Sequence, residues 1–373
     1  MKTSEIYSLS IEQIVNAAVV GGMDSTIIIK GEMGGGKSTI SRLIKQEPEY
    51  AKHALVRMDC TTLDLGDVMV PDIMRLGQQD SGTHDISVMT YAFNERLGLH
   101  ESGPIILDLD EFGKSNRSVQ NALLPLLLDH ELAGRMLHPK SVVIASTNLG
   151  AEGVGDLLQP HARNRVTLVD MRKSDNMEWL ENFAVNAGID PSMMAWVKDT
   201  PELFQSFREL DDPEENQMIY HPLALNRDSF VTGRSLEKAS NWLKKRHLID
   251  STTLTAVLIG TIGPMAAKKL AAYVALGDQL PKLADIKVDP NNVIIPKDAS
   301  AVCMVVYSAL STIEKEWVDA WMVYLNRLSK TAQELFCNGV RADKYSRRDI
   351  VVNTQAFQSW CLENNYLFTA DKK

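Results

Sequence analysis

The stretch "GEMGGGKST", Gly31 to Thr39, sets four glycines around a lysine and follows it with two hydroxyls. Glycine has no Cβ, so Gly31, Gly34, Gly35 and Gly36 let backbone N–H groups turn inward and close on the oxygens of a polyanion. Lys37 supplies charge for terminal phosphates and Ser38 offers a hydroxyl to a magnesium ion. A helix starting here aims its positive end at the same anion. Upstream, "TIIIK" (26–30) has the composition of a short buried strand; downstream, Ile40, Leu43 and Ile44 recur at helical spacing. The order strand, glycine-rich loop, helix separates a phosphate cradle from a simple hairpin turn. It predicts that Gly31, Glu32, Met33, Gly34, Gly35, Gly36, Lys37, Ser38 and Thr39 surround a nucleoside triphosphate, ATP before others.

Around this loop the chain reads as repeated βαβ. Residues 10–20 form a helix opened by a capping box, Ser10 with Gln13, and closed by Gly21 and Gly22. Four more apolar runs follow the loop: "HALVRM", "PIILDLDE", "SVVIAS" and "VTLV", near 53–58, 104–111, 141–146 and 166–169. Helical or irregular stretches separate them, which predicts a five-stranded parallel sheet covered on both faces, with chemistry at the carboxyl ends of its strands. From about residue 172 helical patterns dominate. They include 235–248, 266–276 and an amphipathic segment carrying Ile313, Trp317, Trp321, Tyr324 and Leu328, whose stripe reads as core or as a groove for a partner helix.

Hydrolysis needs groups that hold the metal, align water and absorb charge on the γ-phosphate. "IILDLDEF" ends in Asp110 and Glu111, suited to magnesium coordination and water activation respectively. Asp108 points to the same side as Asp110 by strand alternation and competes for the metal role. At the end of "IASTN", Asn148 can hydrogen-bond water or phosphate without adding charge. Arg163 and Arg165 precede the last strand and Arg234 begins a helix; each suits phosphate, and each is equally at home on a solvated surface.

The net charge of −9 opposes a surface built to grip nucleic acid nonspecifically. "RADKYSRRD" (341–349) is a local basic stretch that leaves nucleic acid open as a weakly supported partner. The four cysteines form no C-x-x-C pair and read as reduced thiols rather than zinc ligands or disulfides. No apolar run approaches membrane-spanning length and the first residues show no signal-peptide pattern, so a cytoplasmic location without membrane association is expected.

Taken in order, these segments resemble an AAA+ ATPase, most like the MoxR and dynein-related branch, over residues 8 to about 245. "GEMGGGKST" is similar to Walker A and "IILDLDEF" to Walker B. "IASTN" matches the sensor 1 strand, and "LLPLLLDHELAGRMLHPKSVVIAS" the helix, hairpin and strand that lead to it. "LLQPHARNRV" looks like the arginine-finger segment, with Arg165 favoured over Arg163, and "TGRSLEKA" like sensor 2 with Arg234. The finger position carries Arg165-Val166 where the branch usually has Arg-Phe, and Gly233 stands where a proline often does. The resemblance implies a P-loop NTPase αβα core (1–171), a helical lid with sensor 2 (172–250) and a mostly helical C-terminal region (251–373). It also implies a homo-oligomeric, typically six-membered ring that uses ATP and Mg2+ to remodel a protein client. The partner could be a separate von Willebrand factor A domain protein, since no D-x-S-x-S motif occurs in this chain. Other readings are a nucleic-acid motor or loader, a small-molecule phosphotransferase, and a nucleotide-binding subunit with little turnover.

Overall fold

A computed structural model describes residues 7–76, 86–149 and 163–364. The chain divides into two compact units, 1–173 and 174–373.

The first unit is built on a five-stranded sheet. Its strands are β1 (Ile27–Lys30), β2 (Ala54–Asp59), β5 (Ile105–Asp110), β8 (Val142–Thr147) and β9 (Thr167–Asp170), in the order β2-β5-β8-β1-β9. Every pairing is parallel. The five apolar runs read from the sequence are these five strands. Alternation along them sends one set of side chains to each face. Ile28, Leu107, Leu109, Val143 and Ala145 pack with Val119, Leu123 and Leu127 of helix α4 (Arg117–Asp129). Ile27, Ile29, Ile106, Val142 and Ile144 pack on the other face with Ile14, Val15 and Ala18 of α1 (Ile11–Gly21) and Ile40 and Ile44 of α2 (Ile40–Gln46). Burial on both faces explains why the three inner strands β1, β5 and β8 are continuous apolar runs, whereas the edge strands β2 and β9 are partly exposed. The Ser10–Gln13 capping box forms as expected.

Two hairpins decorate the sheet. β6 (Glu131–Leu132) and β7 (Arg135–Met136) are joined by Ala133 and Gly134, both at positive φ, the twist-matched turn of a two-residue loop. The other hairpin, β3 (Met69–Leu76) with β4 (Ile86–Phe93), interrupts the connection from β2 to β5 and was not anticipated. Its pairs Pro71↔Tyr91 and Ile73↔Met89 put apolar side chains opposite one another, and Ile73, Met89, Met74 and Val70 are all more than half exposed.

The second unit is helical. One apolar cluster runs through it from Trp179 to Trp360, joining Leu236, Ala239 and Leu243 of the helix Gly233–Lys244 to Ile262, Leu270, Leu310 and Phe336. Ile313, Trp317, Trp321, Tyr324 and Leu328 all belong to this core, which favours the core reading of the tryptophan stripe. They do not share one helix. The helix Ala299–Thr312 ends at Ile313, whose backbone is extended, and a new helix covers Val318–Asn326. Cys60, Cys303 and Cys337 are buried and Cys361 half-buried, all unbridged. No helix among the described residues is long and apolar enough to cross a membrane.

Candidate nucleotide and metal site

The loop after β1 needs its glycines for two separate reasons. Gly34 and Gly36 stand at φ +72° and +95°, where side chains are strained. At Gly31 and Gly35 a Cβ would press on Met171, at 3.2 and 3.1 Å. The chain then winds through one 3₁₀ turn, Lys37–Thr39, into α2. The Thr39 hydroxyl donates back to the Gly36 carbonyl at 2.6 Å and fixes the turn.

Lys37 is buried at the centre. Its ammonium donates to the carbonyls of Gly31 (2.8 Å) and Glu32 (2.9 Å) and to Asn148 Oδ1 (2.7 Å). The sheet order makes this contact possible: β8 lies between β1 and β5, so the residue after β8 sits between the phosphate loop and the acidic strand end. Asn148 is 2% exposed, and its Nδ2 has no hydrogen-bond partner among the described residues. A buried amide donor left unpaired beside a glycine-lined loop fits an oxygen-rich ligand.

The carboxylates at the end of β5 divide their roles. Asp110 Oδ1 accepts from Ser146 (2.6 Å), while Oδ2 accepts from Ser38 (3.3 Å) and pairs with Arg57. Burial works to raise its pKa, but the bond from Ser146, then Arg57 and Ser38, hold it below the ordinary range. Asp108 is turned into the protein, 3% exposed, where it accepts from Ser41 of α2 at 2.6 Å. Burial pushes its carboxyl up to about 6 despite Ser41 and Arg57. Of the two acids, Asp110 faces Ser38 and Asp108 faces Ser41. A hydroxyl and an ionised carboxylate are hard oxygen donors of the kind magnesium accepts while keeping waters and phosphates as its other ligands. No cluster of three or more His, Cys, Asp or Glu suited to a metal occurs among the described residues, so the fit rests on Ser38 and Asp110.

Glu111 leaves the strand in left-handed backbone geometry, φ 54° and ψ 31°, its N–H bonded to Ser146 Oγ at 3.1 Å. Lys114 Nζ lies 3.0 Å from Glu111 Oε2. The contact is Coulombic, since this buried oxygen accepts no hydrogen bond among the described residues.

The arginines are placed differently. Arg165 is exposed and paired with Asp129 at the end of α4; Arg163 is exposed two residues earlier. Residues 157–162 of "LLQPHARNRV" lie outside the described residues. Arg234 is exposed in the first turn of its helix, in the second unit, after a capping box between Thr232 and Ser235. A Cβ on Gly233 would come within 3.0 Å of the Trp179 indole nitrogen, which accounts for glycine there. Motif reading missed Arg57, Ser41 and Ser146. The signals were a charge inside "HALVRM" and hydroxyls at the strand and helix positions facing the acids.

Residues 5–148 match the family model described as the Sigma-54 interaction domain. Among curated proteins, the chain is 30% identical over 136 residues to the Nif-specific regulatory protein of Klebsiella pneumoniae, covering 35% of this chain and 24% of that protein. It is 33% identical over 135 residues to the DNA-binding transcriptional activator HyfR of Escherichia coli (strain K12), covering 35% and 19%. The chain thus spans a quarter or less of the length of these relatives. Among solved structures, NtrX from Brucella abortus with ADP aligns over 96% of this chain and 67% of that one, with 17% identity and a TM-score of 0.38.

Proposed function

We propose that this chain, whose first unit is an AAA+ ATPase core of the sigma-54 activator type, hydrolyses Mg·ATP and uses the cycle to act on a sigma-54 transcription complex. The observation that carries the ATPase reading is the convergence of Lys37, Ser38, Asp110, Glu111 and Asn148 at the carboxyl ends of three neighbouring elements of one parallel sheet. The loop N–H groups and Lys37 bind the phosphates. Ser38 and Asp110 hold the magnesium, which when bound neutralises phosphate charge. Glu111 takes a proton from the attacking water, and the Asn148 amide orients that water or the γ-phosphate.

The finer assignment follows the matched family model. It favours the sigma-54 activator branch over the MoxR and dynein-related one, and a chaperone-like role or a von Willebrand factor A partner finds no support in the relatives. The exposed apolar hairpin β3–β4 is the surface we assign to the protein target, because a group of exposed apolar side chains such as Val70, Ile73, Met74 and Met89 marks a contact site. Arg165 is taken as the finger and Arg234 as the lid arginine of a homo-oligomeric ring, with the lid at 172–250 and the remaining helices at 251–373.

Two experiments decide this. A Glu111→Gln chain loaded with ATP is expected to retain sigma-54 protein in a pull-down that ADP abolishes; absence of nucleotide-dependent capture refutes the target. Mixing Glu111→Gln with Arg165→Ala subunits is expected to restore part of the ATPase rate, and no restoration at any ratio removes Arg165 from a shared site.

A further inference from the structure

Arg57 is a charged residue in the middle of β2, in register with Asp108 of the neighbouring strand. Its Nε lies 3.5 Å from Asp108 Oδ2, and its Nη2 is paired with Asp110 Oδ2. The last contact matters because Asp110 Oδ2 is also the oxygen that receives the Ser38 hydroxyl, while Oδ1 is occupied by Ser146. A divalent cation ligated by Ser38 and Asp110 therefore meets an oxygen already bonded to a guanidinium. Two cations on one carboxylate oxygen repel, and in a partly buried setting the repulsion is poorly screened.

We propose that Arg57 is a positioning residue that competes with magnesium for Asp110 Oδ2 and shifts its bonding toward Asp108 when the metal takes that oxygen, so that it sets how strongly metal and nucleotide binding are coupled. Asp108 is suited to receive the guanidinium. It lies on the same side of β5, one pleat further in, already faces Nε, and keeps its bond from Ser41 whichever way Arg57 leans. Lysine could not replace this arrangement, since a point charge cannot fork across both acids.

The inference rests on Ser38 and Asp110 being the metal site, and the test separates the two claims. The dissociation constant of a fluorescent ADP analogue is measured in EDTA and in saturating Mg2+, and the ratio of the two is the metal coupling. In the natural chain the ratio is expected to be well above one; a ratio of one overturns the metal site itself. In Arg57→Gln the ratio is expected to rise about tenfold, because the competing charge is gone, with affinity in EDTA changed far less. Arg57→Lys should fall between. An unchanged or smaller ratio in Arg57→Gln overturns the competition, whatever the variant does to stability. Because removing Arg57 leaves two acids facing each other, the double variant Arg57→Gln/Asp108→Asn provides the same comparison with one charge of each sign deleted, and is held to the same tenfold rise.

Discussion

Replacing Asp108 by asparagine should make the first unit more stable at pH 8 than the natural chain, although it deletes a charge that sits beside an arginine. Asp108 is 3% exposed, and its carboxyl titrates at about 6 instead of 3.8 with Ser41 and Arg57 already counted in its favour. A folded-state value above the unfolded one means that the folded protein binds the proton more tightly. Stability is then complete below about pH 3.8 and declines as pH rises to about 6. At 1.36 kcal/mol per pH unit the full loss is about 3 kcal/mol. Between pH 5 and pH 8 only the upper part of that window is crossed, which amounts to about 1.4 kcal/mol. Asparagine keeps an acceptor for Ser41 and never ionises, so the stability difference, variant minus natural chain, should grow by about 1.4 kcal/mol from pH 5 to pH 8. Taking the difference cancels other titrating groups. All six tryptophans lie between Trp179 and Trp360, so indole fluorescence reports on the other unit. Amide exchange of peptides from β5 and β8, corrected for intrinsic pH dependence, reads this one. A pH-independent difference, or one that shrinks toward pH 8, would show that Arg57 fully compensates the buried carboxylate, and the reasoning fails.

Three further outcomes are expected. Gly36→Ala forces a side chain into φ +95° and brings Cβ within 2.8 Å of Ile11 Cδ1; nucleotide affinity should fall on the order of tenfold in a titration, since backbone strain of this kind costs about 1–3 kcal/mol. Asn148→Ala removes an acceptor from Lys37 and the unpaired amide donor; single-turnover rates should drop by about 100- to 1,000-fold while the dissociation constant for ATP moves by less than about threefold. Ile73→Asp with Met89→Asp on the exposed hairpin should leave basal ATP hydrolysis intact and abolish sigma-54 capture; hydrolysis lost in parallel would assign the hairpin to the fold instead.

The inner strands of the sheet were legible because they are buried on both faces: each had to be an apolar run, and "TIIIK" or "SVVIAS" admits few other fates. The phosphate loop was legible because close backbone approach demands glycine at fixed positions. The pairing of β3 with β4 escaped notice because Val70, Ile73, Met74, Met89 and Tyr91 are all exposed, so no alternation marks either strand as half-buried. The network around Asp110 escaped because Arg57, Ser41 and Ser146 come from three segments whose proximity is a product of strand order, 2-5-8-1-9, and strand order leaves no local trace in composition. The tryptophan stripe read as an amphipathic segment lies in the core, divided between the end of one helix and the next. Burial of Ile313 requires only that its side chain face inward, which an extended residue between two helices satisfies as well as a helical one.

The apolar interior of residues 174–364 has no seam at residue 250. Leu243 before that point and Leu258, Ile262 and Leu270 after it are parts of a single close-packed mass. A displacement of the helix bearing Arg234 cannot therefore be the flapping of a light cover. Leu236, Ala239 and Leu243 anchor that helix in the same interior as the tryptophans and the C-terminal helices, so it belongs to one packed body with them.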